Sequence, residues 1–208
     1  MKKIQTNKLT ENIEYSVGYR KQLKQIELAL KLSDTKHPLP LKMKMAELIL
    51  NLMQHRKNFG MFVILGWKTK WQRFADTPDS RQDIFARHNI NIMKITPTRQ
   101  RKHSIMNTVN FDGAIIIDGR GDIIHSGVMI EGLRPRATAE RINPGKTGDL
   151  SSQFGFKRKV HMRHIAAIVS SYIFKNTTVF TVSEETNDLH IFENGRIIYS
   201  TVKGEPTK

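Results

Sequence analysis

Apolar positions in the first quarter of the chain recur at helical spacing. Leu23, Ile26 and Leu30 share one stripe and predict an amphipathic helix over 12–33, behind a polar start over 1–11. Ser33-Asp34-Thr35-Lys36-His37-Pro38 breaks that helix. A second helix is predicted over 41–56, with Met45, Leu48, Ile49, Leu52 and Met53 on one face. Methionines in such a stripe suit core filling. At Phe59 the pattern changes to a mostly apolar stretch through Leu65, which reads as a buried strand ended by Gly66. Trp67 and Trp71 follow on a basic segment, where packing against the sheet is the expected role and stacking on a base the alternative.

Further strands are predicted at Ala114–Ile117, Asp122–Ile130 and Val179–Val182. A hairpin is predicted from Leu189–Phe192 and Ile197–Tyr199 around Glu193-Asn194-Gly195. Asp118-Gly119-Arg120-Gly121 is a turn, and Thr96–Lys102 a positively charged one. Short helices are expected around Asp83–Ala86 and over 103–109, with Ile92–Ile95 a strand or transition. Ile165, Ile168, Val169, Tyr172 and Ile173 predict a helix over 163–174. Prolines and glycines (Pro135, Pro144, Gly145, Gly148) make 131–160 read as a long basic loop. The sum is an α/β chain: a single mixed β-sheet flanked by helices, with an N-terminal helical extension. The expected organisation is 1–58 extension, 59–200 α/β domain and 201–208 polar tail.

Composition narrows the classes. The chain has 208 residues, no cysteine, and a formal net charge of +15. Disulfides and thiolate metal sites are therefore excluded. The basic balance favours anionic partners, of which ATP is one and nucleic acid another. Much of that charge lies in one stretch: Arg134, Arg136, Arg141, Lys146, Lys157, Arg158, Lys159 and Arg163. The longest apolar run, Met61–Leu65, is too short to span a bilayer, and the start does not read as a signal peptide. A cytoplasmic protein with no membrane segment is expected.

Three short segments carry the candidate chemistry. Asp112-Gly113-Ala114 offers a carboxylate beside a glycine, where a ligand or a backbone can come close. Arg163-His164 offers a guanidinium and an imidazole at a helix start, a place that suits phosphate. Ser183-Glu184-Glu185-Thr186 offers a hydroxyl and two carboxylates, which suit a divalent cation or a ribose. Pro144-Gly145-Lys146-Thr147-Gly148 imitates part of a phosphate loop, but no strand precedes it. His161 and His164 alone lack the further ligands a zinc site needs.

The ordered set resembles the diadenylate cyclase domain, the nucleotide-binding domain of the DNA-integrity-scanning protein DisA and its relatives. The family pattern reads Asp-Gly-Ala, Gly-Thr-Arg-His-Arg-Ala-Ala and Ser-Glu-Glu-Thr-Gly. Here the second segment is His161-Met162-Arg163-His164-Ile165-Ala166-Ala167, and Asn187 stands in place of the last glycine. The resemblance covers roughly 59–200. It implies the same fold and the condensation of two ATP into cyclic di-AMP, with release of two pyrophosphates. It also implies Mg2+ or Mn2+ and a homo-oligomer in which two protomers meet face to face.

By resemblance, Asp112 positions the metal and the attacking 3′-hydroxyl. The nucleotide-binding set is Gly113, Ala114, Arg163, His164, Ser183, Glu184 and Thr186. The metal ligands are Asp112, His164 and Glu184. Ile165 replaces a phosphate-binding arginine, and Lys157, Arg158, Lys159 or His161 are the expected compensating cations. Two other classes stay open, a nucleotide-binding module without turnover and a basic nucleic-acid-binding protein.

Overall fold

The computed structural model describes residues 17–56, 58–79, 83, 90–96, 113–205 and 207. The polar start over 1–11, most of the short helix expected over 83–86 and of the turn over 96–102, the helix over 103–109 and Asp112 lie outside the described residues.

Seven strands form one mixed sheet in the order β2-β4-β3-β1-β5-β6-β7. They are β1 Met61–Trp67, β2 Ala75–Asp76, β3 Ala114–Asp118, β4 Ile123–Ile130, β5 Thr178–Val182, β6 Leu189–Glu193 and β7 Arg196–Ser200. Only β1 and β3 pair in parallel; the other neighbours are antiparallel. The α-helices are α1 Val17–Lys31, α2 Leu39–His55, α3 Pro135–Ile142, α4 Leu150–Phe154 and α5 Met162–Ile173.

Strand side chains alternate between two cores. Met61, Val63 and Leu65 of β1 join Ile115 and Ile117 of β3 and Phe180 and Val182 of β5 beneath α1 and α2. Phe62 and Ile64 turn the other way and join Ile116, Val179 and Phe192 beneath Ile165, Ile168 and Val169 of α5. Burial on both faces is why β1 reads as an unbroken apolar run rather than an alternating one. The helices before residue 58 thus share a core with the sheet. A buried polar link adds to this: Lys42 Nζ, on α2, donates to Thr35 Oγ1 at 3.0 Å and lies 3.5 Å from Glu193 Oε1 on β6. Thr35 and Thr178 hydroxyls donate to the same Glu193 oxygen.

Two local readings are corrected. The stretch 131–160 is not one loop but carries α3 and α4. Pro135 occupies the first turn of α3, where its fixed φ and missing N–H cost nothing. Asp149 caps α4 by accepting from the Ser152 N–H, and Gly155 ends it at φ +92°. Proline and glycine there mark helix boundaries. β1 does not end at Gly66 but passes through it to Trp67 by a register shift. Gly66 has φ +94°, and a Cβ there would strike the His37 ring. Ile92–Lys94 is a short 3-10 turn. At Asn194-Gly195 both residues have positive φ (51° and 77°), the tight hairpin expected of Asn-Gly.

Candidate functional site

The N-terminus of α5, the turn after β5 and the β4 end leading to α3 surround a cleft of about 980 Å3. Gly113, His161, Arg163, His164, Ser183 and Glu184 all line it. Residues 70 positions apart in sequence are brought together because β5 follows α5 directly and lies beside β1, which pairs with β3.

α5 starts after His161, whose own side chain makes no capping hydrogen bond. The N–H groups of a helix start and the dipole favour an anion at that end. Arg163 reaches back over β1: a methyl group at Gly60 would collide with its guanidinium. Gly60 therefore makes the arginine's place, a role its sequence context did not announce. The glycine of the first segment answers to backbone. A Cβ on Gly113 would collide with the main chain of Gly127 and Val128 in β4.

The turn after β5 is closed by its own hydrogen bonds. The Asn187 N–H donates to the Ser183 carbonyl at 2.9 Å, and the Ser183 N–H to the Asp188 carbonyl at 2.9 Å. Asn187 sits at φ +55°, in the left-handed region. Asparagine tolerates that region best after glycine, so it can stand where the family pattern has glycine. The Thr186 N–H donates to Ser183 Oγ at 3.3 Å, which leaves the serine proton for a ligand. Glu184 is exposed. Glu185, also exposed, pairs with His161 Nε2 at 3.0 Å across the cleft mouth. Met129 and Met162, 56% and 67% exposed, add apolar surface at the cleft.

His164 lines the cleft yet is 95% buried in the face below it, at 5% exposure. Neither ring nitrogen has a hydrogen-bond partner. Burial, then the neighbouring His190 and the Arg163 charge, push its pKa down to about 3, so the ring is neutral near pH 7. A neutral imidazole can donate one hydrogen bond or offer one lone pair; it cannot supply charge to a phosphate. The His190 ring stands edge-on to it at 5.0 Å. His190 Nε2 lies 2.8 Å from Glu205 Oε2. Burial acts to raise the Glu205 carboxyl, but hydrogen bonds from His190 and Ser200 outweigh it and hold the group below its ordinary range. His190 and Glu205 were not among the expected site residues. Their one sequence signal is a histidine inside the apolar run Leu189–Phe192.

The remaining expected residues are placed as follows. Ala114 is fully buried in the core beneath α5 and does not line the cleft. Ile165 points into that same core. Thr186, Arg158 and Lys159 border a small adjoining crevice of about 60 Å3, shared with His164, His190 and Glu205. Arg158 lies 3.4 Å from Asp188, and the Lys157 N–H donates to Glu205. Of the expected compensating cations, His161 alone lines the large cleft. Among the described residues, no three potential ligands gather around one metal position. Glu184 and Glu185 do give two carboxylates at the cleft, which suits Mg2+ or Mn2+ when phosphate oxygens complete the shell.

No family model matches the chain. No curated protein matches it. Among solved structures, it is similar to a hypothetical membrane spanning protein from Bacillus cereus, with TM-score 0.48 and 17% identity. That match covers 76% of this chain, which spans only 62% of the Bacillus protein. It is also similar to a double mutant of DacA from Staphylococcus aureus, with TM-score 0.38, 15% identity, and coverage of 90% and 91%. At these values neither likeness bears on substrate or reaction. Among the described residues, no helix is long and apolar enough to cross a membrane.

Proposed function

We propose that the cleft binds ATP with a divalent cation and catalyses nucleotidyl transfer, condensing two ATP into cyclic di-AMP and two pyrophosphates. One observation carries this reading. Gly113, the Arg163-His164 pair and Ser183-Glu184, distant in sequence, line a single cleft at a helix N-terminus. The arrangement has the complementary parts such chemistry requires: a guanidinium and a helix N-terminus for phosphate, a hydroxyl donor, and carboxylates for a cation.

In this reading Arg163 holds phosphate oxygens, and its packing over Gly60 keeps it oriented. Ser183 donates its proton to a phosphate oxygen. Glu184 holds Mg2+ or Mn2+, which when bound would neutralise charge on the phosphate oxygens and the leaving pyrophosphate. His164 serves as a neutral partner, by one N–H or one lone pair. Met129 and Met162 offer polarizable apolar surface to the base. A cyclic product from two nucleotides requires two clefts face to face, so the active form is a dimer.

A second reading, nucleotide binding without turnover, has its own observation. Arg163 is the only permanently charged cation among the described cleft residues, because Ile165 faces the core and His164 is neutral. Incubation with ATP and Mn2+ or Mg2+, with products identified by chromatography and mass spectrometry, separates the two. Cyclic di-AMP from the wild-type chain and none from Asp112→Asn is the expected result. ATP bound but unconsumed would establish the second reading, and no ATP binding at all would sink both.

A further inference from the structure

The C-terminal end of α5 carries a cationic surface that the nucleotide reading does not use, although its Phe74 edge meets Gly132 of the cleft wall. The helix is 12 residues long, so the two ends are about 18 Å apart. There, Trp67, Trp71 and Phe74 pack on Phe174, with ring centroids 4.9, 5.3 and 5.5 Å from it. Three exposed cations lie on this aromatic cluster, and a fourth, Lys175, the residue after Phe174, lies on Tyr172. Lys68 and Lys70 sit 5.8 and 5.5 Å from the Trp71 ring. Arg73 sits 5.0 Å from the Phe74 ring, and Lys175 3.9 Å from Tyr172. None of the four is in an ion pair among the described residues. Asp76 and Glu131 on adjoining segments form none either, and Asp118, paired with Trp67, accepts from the Arg120 and Asp122 N–H groups.

We propose that Lys68, Lys70, Arg73 and Lys175 form a docking surface for the phosphodiester backbone of a nucleic-acid duplex. The ring faces steer the cations without neutralising them, so charge is held in place at little further ordering cost. A polyanion gains by releasing counterions onto such a surface. Trp67 and Trp71 are only 4% and 7% exposed, so Trp71 can hold Lys68 and Lys70 but neither ring is open to unstacked bases. That disfavours a single strand and favours a duplex contacted through its backbone. An anionic membrane is disfavoured too. Among the described residues the large exposed apolar side chains are Val17, Leu28, Leu32, Met93, Met129 and Met162, and none of them lies on Lys68–Phe74 or at the C-terminal end of α5.

The test is fluorescence anisotropy of a labelled mixed-sequence duplex DNA across a salt series. Four phosphate contacts give a slope of log K against log salt of about −3.6, or about 150-fold weaker binding from about 50 to about 200 mM salt. Replacing Lys68, Lys70, Arg73 and Lys175 by Gln together should abolish most of that slope. Replacing the exposed Arg20, Lys21, Lys24 and Lys31 of α1 by Gln should leave most of it. Circular dichroism checks that both variants fold. Lysine acetylation of the wild-type chain, read by mass spectrometry, gives a variant-free measure: duplex should protect Lys68, Lys70 and Lys175. Equal slopes for wild type and the first variant would overturn the proposal. So would absence of protection, or tighter binding to a single strand or to phosphatidylserine vesicles than to the duplex.

Discussion

Acid should destabilise the fold through His164 before the carboxylates titrate. The unfolded chain binds a proton at the ordinary imidazole value of 6.5, whereas the folded ring does so only at about 3. The folded value is the lower one, so this contribution is complete above 6.5 and is lost as pH falls towards 3. The whole gap corresponds to about 5 kcal/mol, and the part lost between about pH 7.5 and about pH 5 to about 2 kcal/mol. Ordinary carboxylates only begin to titrate at the lower end of that window, and equally in both proteins, so the comparison with a His164 variant isolates the imidazole. His164→Leu removes the titration and two buried nitrogens that have no partner. Its stability at pH 7.5 should therefore stay within about 1 kcal/mol of wild type, or exceed it. Urea unfolding followed by the emission of the buried Trp67 and Trp71 measures both effects. The variant should lose about 2 kcal/mol less than wild type on going to pH 5. Parallel losses in the two proteins would refute the placement of a neutral, enclosed imidazole.

Lys42→Met strands the Glu193 carboxylate in the interior and should cost about 3–5 kcal/mol in thermal or urea unfolding, with much of it recovered on adding Glu193→Gln. Asn187→Gly should change stability by a few tenths of a kcal/mol, while Asn187→Val at φ +55° should cost about 1–3 kcal/mol. Gly113→Ala forces a Cβ into the main chain of β4 and should cost about 1–3 kcal/mol, read as a lower unfolding midpoint. Arg163→Lys should weaken ATP binding by about 1–3 kcal/mol in calorimetry with little change in unfolding, because an ammonium lacks the planar fork.

Much of the fold was legible because burial leaves a period in the sequence. The stripe Leu23, Ile26, Leu30 and the unbroken run at β1 specify which surfaces must be covered, and Asn194-Gly195 specifies a reversal. The segment 131–160 was misread because proline and glycine punctuate helices as well as loops; context, not residue type, decides between them. The site was legible only as three fragments. Their residue types indicate what each can bind, but chain order alone does not say that they share a cleft.

That meeting depends on β1 pairing with both β3 and β5, a long-range choice fixed by how the sheet's two faces are covered. The same holds for individual side chains. Sequence marks His164 as a basic group, yet the neutral form is set by burial and by His190 and Arg163 nearby, which no local pattern records. Gly60 looks like an ordinary strand-edge glycine until Arg163 is found lying over it. Glu205 looks like a tail residue until it is found bonded to His190. The sequence by itself determined the elements, their buried faces and the kinds of groups available. Only the tertiary structure decided which groups meet and in what charge state, because distance and desolvation are properties of the packed chain and not of any residue in it.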